Sequence, residues 1–135
     1  MNLKDPALFR QQCYVDGRWW DADSKATIDV TNPATDEVLG TIPKCLGKET
    51  RDAIAAAKAA QPEWAAKTAG ERATILRRWN DLMLAHADDL ALIMTLEQGK
   101  PLAESKGEVA YSDQAFGLDP DIQQMFYGSD GDAAP

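Results

Sequence analysis

The spacing of apolar residues changes once along the chain, near Lys48, and this change limits the fold more than any other feature of the sequence. Before Lys48, bulky and β-branched residues alternate with polar ones between turn residues, a pattern typical of short strands. After Lys48, Ala-rich segments carry apolar residues three and four positions apart, a pattern typical of helices. The sequence therefore predicts an α/β chain in which N-terminal β-hairpins precede a cluster of helices.

Turn residues divide the N-terminal part into two predicted hairpins. In "CYVDGRWW", Asp16-Gly17 is a favoured two-residue hairpin loop. Further along, the turn residues 32–36 separate two runs rich in β-branched residues. Because proline lacks the N–H that a central strand must donate, Pro33 and Pro43 are expected at strand ends or on an edge.

The rest of the chain predicts helices with recognisable ends. The first should begin near Lys48, and Pro62 is expected to end or break it because proline has no N–H for the helical ladder. A capping box formed by Thr68 and Glu71 predicts that the second helix starts near Ala69.

The second predicted helix carries the clearest apolar stripe of the chain, and this stripe is expected to be buried. Its members lie three or four positions apart: Ile75, Leu76, Trp79, Leu82 and Met83. Asp88 and Asp89 complement the dipole at the start of a third helix. The apolar residues expected to pack inward from that third helix are Leu90, Ile93, Met94 and Leu96.

The segment "LEQGKPLAESKGE", residues 96–108, predicts a corner between two helices. Gly99 suits the left-handed position after a helix, and Pro101 suits the start of the next one. A phosphate-binding loop is a poor match, because the second glycine, the hydroxyl residue after Lys100 and the preceding strand are missing. Residues 112–135 lose the apolar period and are expected to form loops and a mobile tail.

The composition argues against several classes of function. The 135 residues include 14 Lys and Arg against 22 Asp and Glu, which gives a net charge of -8. This charge disfavours binding to nucleic acid or to an anionic membrane. The first residues lack the apolar core of a secretory signal, and no apolar run is long enough to span a bilayer, so a cytoplasmic protein is expected.

The residues themselves predict no catalytic, cofactor or metal site. Cys13 and Cys45 lack a CxxC partner or a second His, so they are expected to be isolated reduced thiols. His86 should be a surface or partly packed side chain, because no nucleophile and acid are spaced to form a relay with it. Trp19 and Trp20 should point to opposite faces of a strand, one toward the core. Most of the acidic side chains are expected on solvated helix faces.

The segments "YVDGRWWDA", "IDVTNPATDEVLGTIPKC" and "ERATILRRWNDLMLAHADDLALIMTLEQGKPLAESKGEVAY" together resemble the opening of the aldehyde dehydrogenase superfamily. The resemblance covers about residues 8–111, and "LFRQQCYVDGRWWDA" and "MTLEQGKPLAESKGE" are most similar to bacterial succinate-semialdehyde dehydrogenases. It implies that residues 1–111 form part of the N-terminal region of such an enzyme, at the start of its nucleotide-binding domain. Residues 112–135 depart from the family pattern and are expected to form a second, loop-rich or disordered region.

The resemblance implies oxidation of succinate semialdehyde to succinate, as in GABA degradation, with reduction of NAD or NADP. In the family, the nucleophilic Cys, the Glu base, the oxyanion-stabilising Asn and the nucleotide-binding residues all lie in later segments. None of these motifs occurs here, and Cys13, Cys45 and Glu97 do not match the family's catalytic residues. We therefore expect that this chain alone neither binds the cofactor nor catalyses the reaction.

Two further possibilities follow from the resemblance. The first is a non-catalytic interaction module that associates with itself or with a full-length dehydrogenase. The second is a structural cation, which some family members bind with a backbone carbonyl near the position of Thr31 and an acidic side chain near that of Glu97. Such oxygen ligands suit a hard or alkali cation, whose remaining ligands would come from residues outside this sequence.

Overall fold

The structure, a computed structural model, describes residues 1–113, in which two separate antiparallel hairpins precede four α-helices. The elements are β1 (Cys13–Val15), β2 (Arg18–Trp20), β3 (Thr27–Thr31), β4 (Val38–Pro43), α1 (Gly47–Ala66), α2 (Ala69–Ala85), α3 (Ala87–Gln98) and α4 (Leu102–Asp113). This order confirms the predicted fold class. The predicted loops and tail at 112–135 lie, beyond Asp113, outside the described residues.

The first hairpin turns at the predicted dipeptide. Asp16 and Gly17 have φ values of 51° and 73°, the positive values that a type I′ loop requires at both central positions. The two tryptophans of β2 face opposite sides, as predicted. Trp19 is exposed, with its ring centroid 5.0 Å from that of Tyr14 on the paired strand, whereas Trp20 is half-buried.

The second hairpin turns around Asn32, whose side chain and backbone both fold the loop. Its Oδ1 accepts a hydrogen bond from the N–H of Ala34 at 2.9 Å, and its carbonyl accepts one from the N–H of Asp36 at 2.8 Å. Pro33 lies within this turn, and Pro43 is the last residue of β4. Both prolines therefore occupy the strand-end positions that their missing N–H predicts.

The prediction that Pro62 ends or breaks the first helix is wrong, because α1 continues through it to Ala66. Proline at this position removes the N–H that would bond the carbonyl of Lys58. Lys58 is exposed, so water can hydrate the carbonyl that loses its partner. The helix therefore tolerates the proline at some cost in stability.

The predicted start of α2 and the predicted end of α3 are both confirmed. The Thr68 hydroxyl accepts a hydrogen bond from the N–H of Glu71 at 3.3 Å, and the Glu71 carboxylate accepts one from the N–H of Thr68 at 2.7 Å. Gly99 follows α3 in the left-handed region with φ 82°. Asp88 and Asp89 lie in the first turn of α3, as predicted from the helix dipole.

The core of the described part is small and lies mainly where α3 packs on α4. Ala91 is fully buried and Val109 is 5% exposed, and the Thr95 and Ser105 hydroxyls form a 2.8 Å hydrogen bond across the two helices. The four apolar residues predicted to pack inward from α3 are half-buried: Leu90, Ile93, Met94 and Leu96.

The prediction that the α2 stripe is buried is wrong for three of its five members. Ile75, Trp79 and Leu82 are 47%, 52% and 43% exposed, whereas Leu76 and Met83 are half-buried. Helical periodicity shows which residues share a face, but burial also needs a second layer on that face. Residues 1–113 cover this stripe only in part.

Candidate functional site

The predicted helix corner lies directly against the turn of the second hairpin. A methyl group added at Gly99 would lie 2.8 Å from Cγ of Pro33, so the two segments touch at a point that admits no side chain. Lys100, next to it, forms an ion pair with Glu108 of α4. The lysine thus joins the corner to the following helix, which supports a structural role over a phosphate-binding one.

The two cysteines, far apart in sequence, are neighbours in the structure. Their sulfur atoms lie 4.0 Å apart, and both residues are free thiols and half-buried. Cys13 is the first residue of β1, and Cys45 lies in the link between β4 and α1. The prediction of isolated thiols is therefore wrong, because the folding of the two hairpins brings these segments together.

Polar contacts join the same two parts of the chain beside the cysteine pair. The carboxylate of Glu49, in the first turn of α1, accepts hydrogen bonds from the N–H groups of Asp23 at 3.2 Å and of Leu46 at 3.1 Å. Lys48 forms a 2.8 Å salt bridge with Asp23. The segment after β2 is thereby held to the start of α1.

Local environment shifts the pKa values of ionisable groups at this junction. Backbone N–H groups, those of Glu49 itself and of Leu46 first, lower the pKa of the Glu49 carboxyl because they stabilise its charged form. Burial, followed by the hydrogen bond with Cys13, raises the pKa of the Cys45 thiol. Cys45 therefore remains protonated at neutral pH, which is unlike an activated nucleophile.

Asp88 and Asp89 fix the N-terminal arm, residues 1–12, to the start of α3. The Asp89 carboxylate accepts hydrogen bonds from the N–H groups of Lys4 at 2.9 Å and Asp5 at 2.8 Å, and these bonds lower the pKa of Asp89. Asp88 forms 2.8 Å salt bridges with both Lys106 of α4 and Lys4. These two partners, Lys106 first, lower the pKa of Asp88 to about 2.

Glu49 and Asp89 are exceptions to the expectation that most acidic side chains are solvated, because both are buried. Each lies in the first turn of a helix, where negative charge is favoured, and accepts hydrogen bonds from backbone N–H groups of another segment. In the sequence, the position of each residue two or three places into a helix indicates that its carboxylate can accept backbone N–H groups. The sequence did not show which N–H groups they bind.

The remaining candidate side chains do not form a catalytic group. His86 is half-buried at the junction of α2 and α3, which agrees with a partly packed side chain. Glu97 is exposed in the last turn of α3, and Thr31 ends β3. Among residues 1–113, no group of three or more His, Cys, Asp or Glu side chains is placed to hold a metal ion. The cation site near Thr31 and Glu97 therefore stays a prediction.

The architecture of the described residues does not fit NAD or NADP. Dinucleotides bind where parallel strands end and a glycine-rich turn leads into a helix. Both strand pairs here are antiparallel hairpins, and the Gly99 turn follows a helix instead of a strand. No cofactor chemistry can therefore be assigned to residues of this part of the chain.

Large apolar side chains are exposed on several faces of the described region. On α1, α2 and α4 the exposed ones are Ile54, Trp64, Ile75, Trp79, Leu82, Leu84, Leu102 and Tyr111. Single exposed apolar residues are ordinary, but this number on three helices is typical of surfaces that pack against another layer. Up to Asp113, no helix combines the length and apolar character needed to cross a bilayer.

Comparison with known proteins gives a consistent result over most of the chain. The model of the aldehyde dehydrogenase family matches residues 19–128. Glutarate-semialdehyde dehydrogenase of Pseudomonas aeruginosa is 62% identical over 112 residues, which cover 83% of this chain and 23% of the relative. The NADP(+) succinate-semialdehyde dehydrogenase of Escherichia coli is 59% identical over 112 residues, which cover 83% of this chain and 23% of the relative.

Solved structures agree with these sequence relatives. The crystal structure of succinate-semialdehyde dehydrogenase from Burkholderia pseudomallei has a TM-score of 0.80 and 59% identity, and the match covers 84% of this chain and 23% of the other. An aldehyde dehydrogenase from Brucella melitensis has a TM-score of 0.86 and 51% identity over 94% of this chain and 26% of the other. This chain thus spans about a quarter of the length of the proteins it matches.

Proposed function

This chain belongs to the aldehyde dehydrogenase family, and from that premise we propose that it is the N-terminal part of an NAD(P)-dependent enzyme that oxidises succinate semialdehyde to succinate. The observation that supports this most strongly is the identity of about 60% to relatives named for succinate and glutarate semialdehyde. Both names describe an aldehyde whose other end is a carboxylate. The proposal includes a cytoplasmic location and a role in GABA degradation.

In the complete enzyme, the nicotinamide cofactor would accept a hydride from the aldehyde carbon. The residues described here would serve as a framework. Asp89 fixes the N-terminal arm to α3, and the contact between Gly99 and Pro33 fixes the helix corner to the second hairpin. Because none of the described residues forms a cofactor site or a relay, we propose that the 135-residue chain alone is inactive.

A chimera tests whether this segment supports the chemistry of its relatives. Residues 1–113 would replace the matching segment of the Pseudomonas aeruginosa glutarate-semialdehyde dehydrogenase, which is 62% identical over the aligned region. We expect the chimera to oxidise succinate and glutarate semialdehydes at rates near those of the parent enzyme, measured by absorbance of the reduced cofactor. The isolated 135-residue chain, assayed beside it, should show no turnover.

The chimera and the unaltered parent enzyme are also compared by thermal unfolding. A chimera that unfolds at the parent's temperature but oxidises neither semialdehyde would contradict the proposal, as would a chimera that fails to fold. Turnover by the isolated chain would show that the catalytic requirements of the family are met within these 135 residues.

A second candidate function rests on the exposed apolar side chains of the helices. Ile54 on α1 and Leu102 on α4 are 62% and 42% exposed, as would suit contact with another protein layer. In this alternative, the chain is a non-catalytic module that associates with a full-length dehydrogenase. Co-purification of the tagged chain with the full-length relative would support it, whereas a monomer that leaves the enzyme's assembly unchanged would exclude it.

A further inference from the structure

We propose that Cys13 and Cys45 are a site of reversible oxidation, at which an intramolecular disulfide ties the first hairpin to the link before α1. This inference concerns the described chain itself and goes beyond its proposed function. It does not depend on which aldehyde a longer protein oxidises.

The geometry of the two thiols favours a bond between them. Their sulfurs lie 4.0 Å apart, and a disulfide bond is about 2.05 Å long, so a gap of about 2 Å must close. Rotation about the two Cα–Cβ bonds moves sulfur atoms over distances of this size. Cys13 is the first residue of its strand and Cys45 lies in a link between elements, so neither is at the centre of a regular element.

Contacts outside the cysteines already hold the two segments together. The Asp23 N–H donates to the Glu49 carboxylate at 3.2 Å, and Asp23 forms a salt bridge with Lys48 at 2.8 Å. The segments that carry the two cysteines, whose positions differ by 32, are therefore held near each other before any covalent link forms. Such preorganisation raises the effective concentration of one thiol at the other.

The environment of the pair also suits slow, reversible oxidation. Both residues are half-buried, so a small oxidant can approach them without general unfolding. Burial raises the pKa of the Cys45 thiol, which keeps that group protonated at neutral pH. Because the thiolate is the reacting form, oxidation should become faster as the pH rises.

The reaction is a thiol–disulfide exchange with a low-molecular-weight disulfide such as oxidised glutathione. One cysteine thiolate attacks a glutathione sulfur, breaks the glutathione disulfide and releases one glutathione thiol. The second cysteine thiolate then attacks the protein sulfur of the mixed disulfide and releases the other glutathione. The two cysteines lose two electrons, glutathione disulfide gains them, and both protons end on the released glutathione thiols.

The test equilibrates the purified 135-residue chain with graded ratios of oxidised to reduced glutathione. After acid quenching and alkylation, mass spectrometry measures the fraction of chain in which Cys13 and Cys45 are linked. We expect the native chain to give an effective thiol concentration at least about tenfold higher than the same chain in concentrated urea. The linked chain should also unfold at a temperature roughly 10 °C higher than the reduced chain, because the link closes a long loop.

Cys13→Ser and Cys45→Ser serve as matched controls. Each should still form a mixed disulfide with glutathione, but neither should form the internal link or show the rise in unfolding temperature. Equal effective concentrations in buffer and in urea would overturn the proposal, because chain connectivity alone would then account for the link. Accumulation of mixed disulfides or linked dimers in the native chain would overturn it as well.

Discussion

At the scale of single residues, Gly99 is the position with the strictest requirement for one amino acid. Its φ of 82° lies in the left-handed region, where a Cβ is disfavoured. An added methyl would also lie 2.8 Å from Cγ of Pro33. Backbone conformation and packing therefore each require glycine at the point where the helix corner meets the second hairpin.

Gly99→Ala should lower the free energy of unfolding by about 1–3 kcal/mol, because it adds both backbone strain and a close contact. Chemical denaturation of the purified chain measures this change. Gly107→Ala is the matched control, since Gly107 lies within α4 and an added methyl there meets no atom within 4 Å. The control should raise stability by about 0.5–1 kcal/mol, and equal effects of the two substitutions would contradict the requirement at Gly99.

Asp88 and Asp89 make the docking of the N-terminal arm dependent on pH. The Asp88 pKa lies below its ordinary value of 3.8, at about 2, because Lys106 and Lys4 stabilise the carboxylate, and the Asp89 pKa is also lowered. A carboxyl group with a lowered folded-state pKa stabilises the fold above its unfolded-state pKa. That contribution is lost as the pH falls through the folded-state value.

The arm should therefore detach as the pH falls from about 4 toward about 2. Hydrogen exchange at the N–H groups of Lys4 and Asp5, measured at stepped pH, follows this change. Asp89→Asn should release the arm already at neutral pH, because an amide has one acceptor oxygen where the carboxylate uses two. Asp88→Asn should leave those two N–H groups protected at neutral pH. Full protection in Asp89→Asn would refute the assigned role of the carboxylate.

At the scale of the elements, α1 carries an avoidable source of instability. Pro62 lies inside the helix and cannot donate to the carbonyl of Lys58. Pro62→Ala should restore this hydrogen bond and raise the free energy of unfolding by up to about 3 kcal/mol, with a gain in helical ellipticity. Gln61→Ala, at the exposed neighbouring position, should change the free energy of unfolding by only about a few tenths of a kcal/mol. If Pro62→Ala did not raise the free energy of unfolding, the proline would not destabilise the native helix.

The elements that the sequence predicted well are those defined by local chemistry. Asp16-Gly17 provides the positive φ values of a hairpin loop, and Thr68 and Glu71 cap α2 by bonds across three positions. Gly99 ends α3 because glycine readily adopts the left-handed conformation that follows a helix. Pro62 is the exception, because α1 continues through it with one backbone hydrogen bond fewer.

The candidate sites were harder to predict because they depend on contacts between distant segments. The cysteines differ by 32 positions, and nothing in the residues around Cys13 or Cys45 indicates that two hairpins bring them together. Likewise, Asp89 could be assigned to a helix start, but its partners Lys4 and Asp5 lie 84 or more positions earlier. Periodicity and capping patterns carry no information about such pairings.

At the scale of the whole molecule, the described residues bury few apolar side chains and expose many large ones. The buried apolar residues are Ala22, Ala91 and Val109, all of modest size. The α2 stripe is partly exposed, with Ile75 at 47% and Leu82 at 43%. Relatives that are about four times longer have further chain available to cover such a face. We therefore expect the isolated chain to cover it by self-association.

If the α2 stripe mediates self-association, substitutions at its apolar and polar positions should affect that self-association differently. The wild-type chain should bind a hydrophobic dye more strongly than a compact protein of similar size, and its sedimentation should depend on concentration. Ile75→Glu should weaken self-association roughly tenfold, because a charge would replace apolar surface at the contact. Thr74→Glu is the matched control, since it adds the same charge at the adjacent exposed polar position. Equal weakening of self-association by both substitutions would assign the weakening to the added charge. A wild-type chain that is monomeric and binds no dye would contradict the expected self-association and show that the exposed stripe is stable in water.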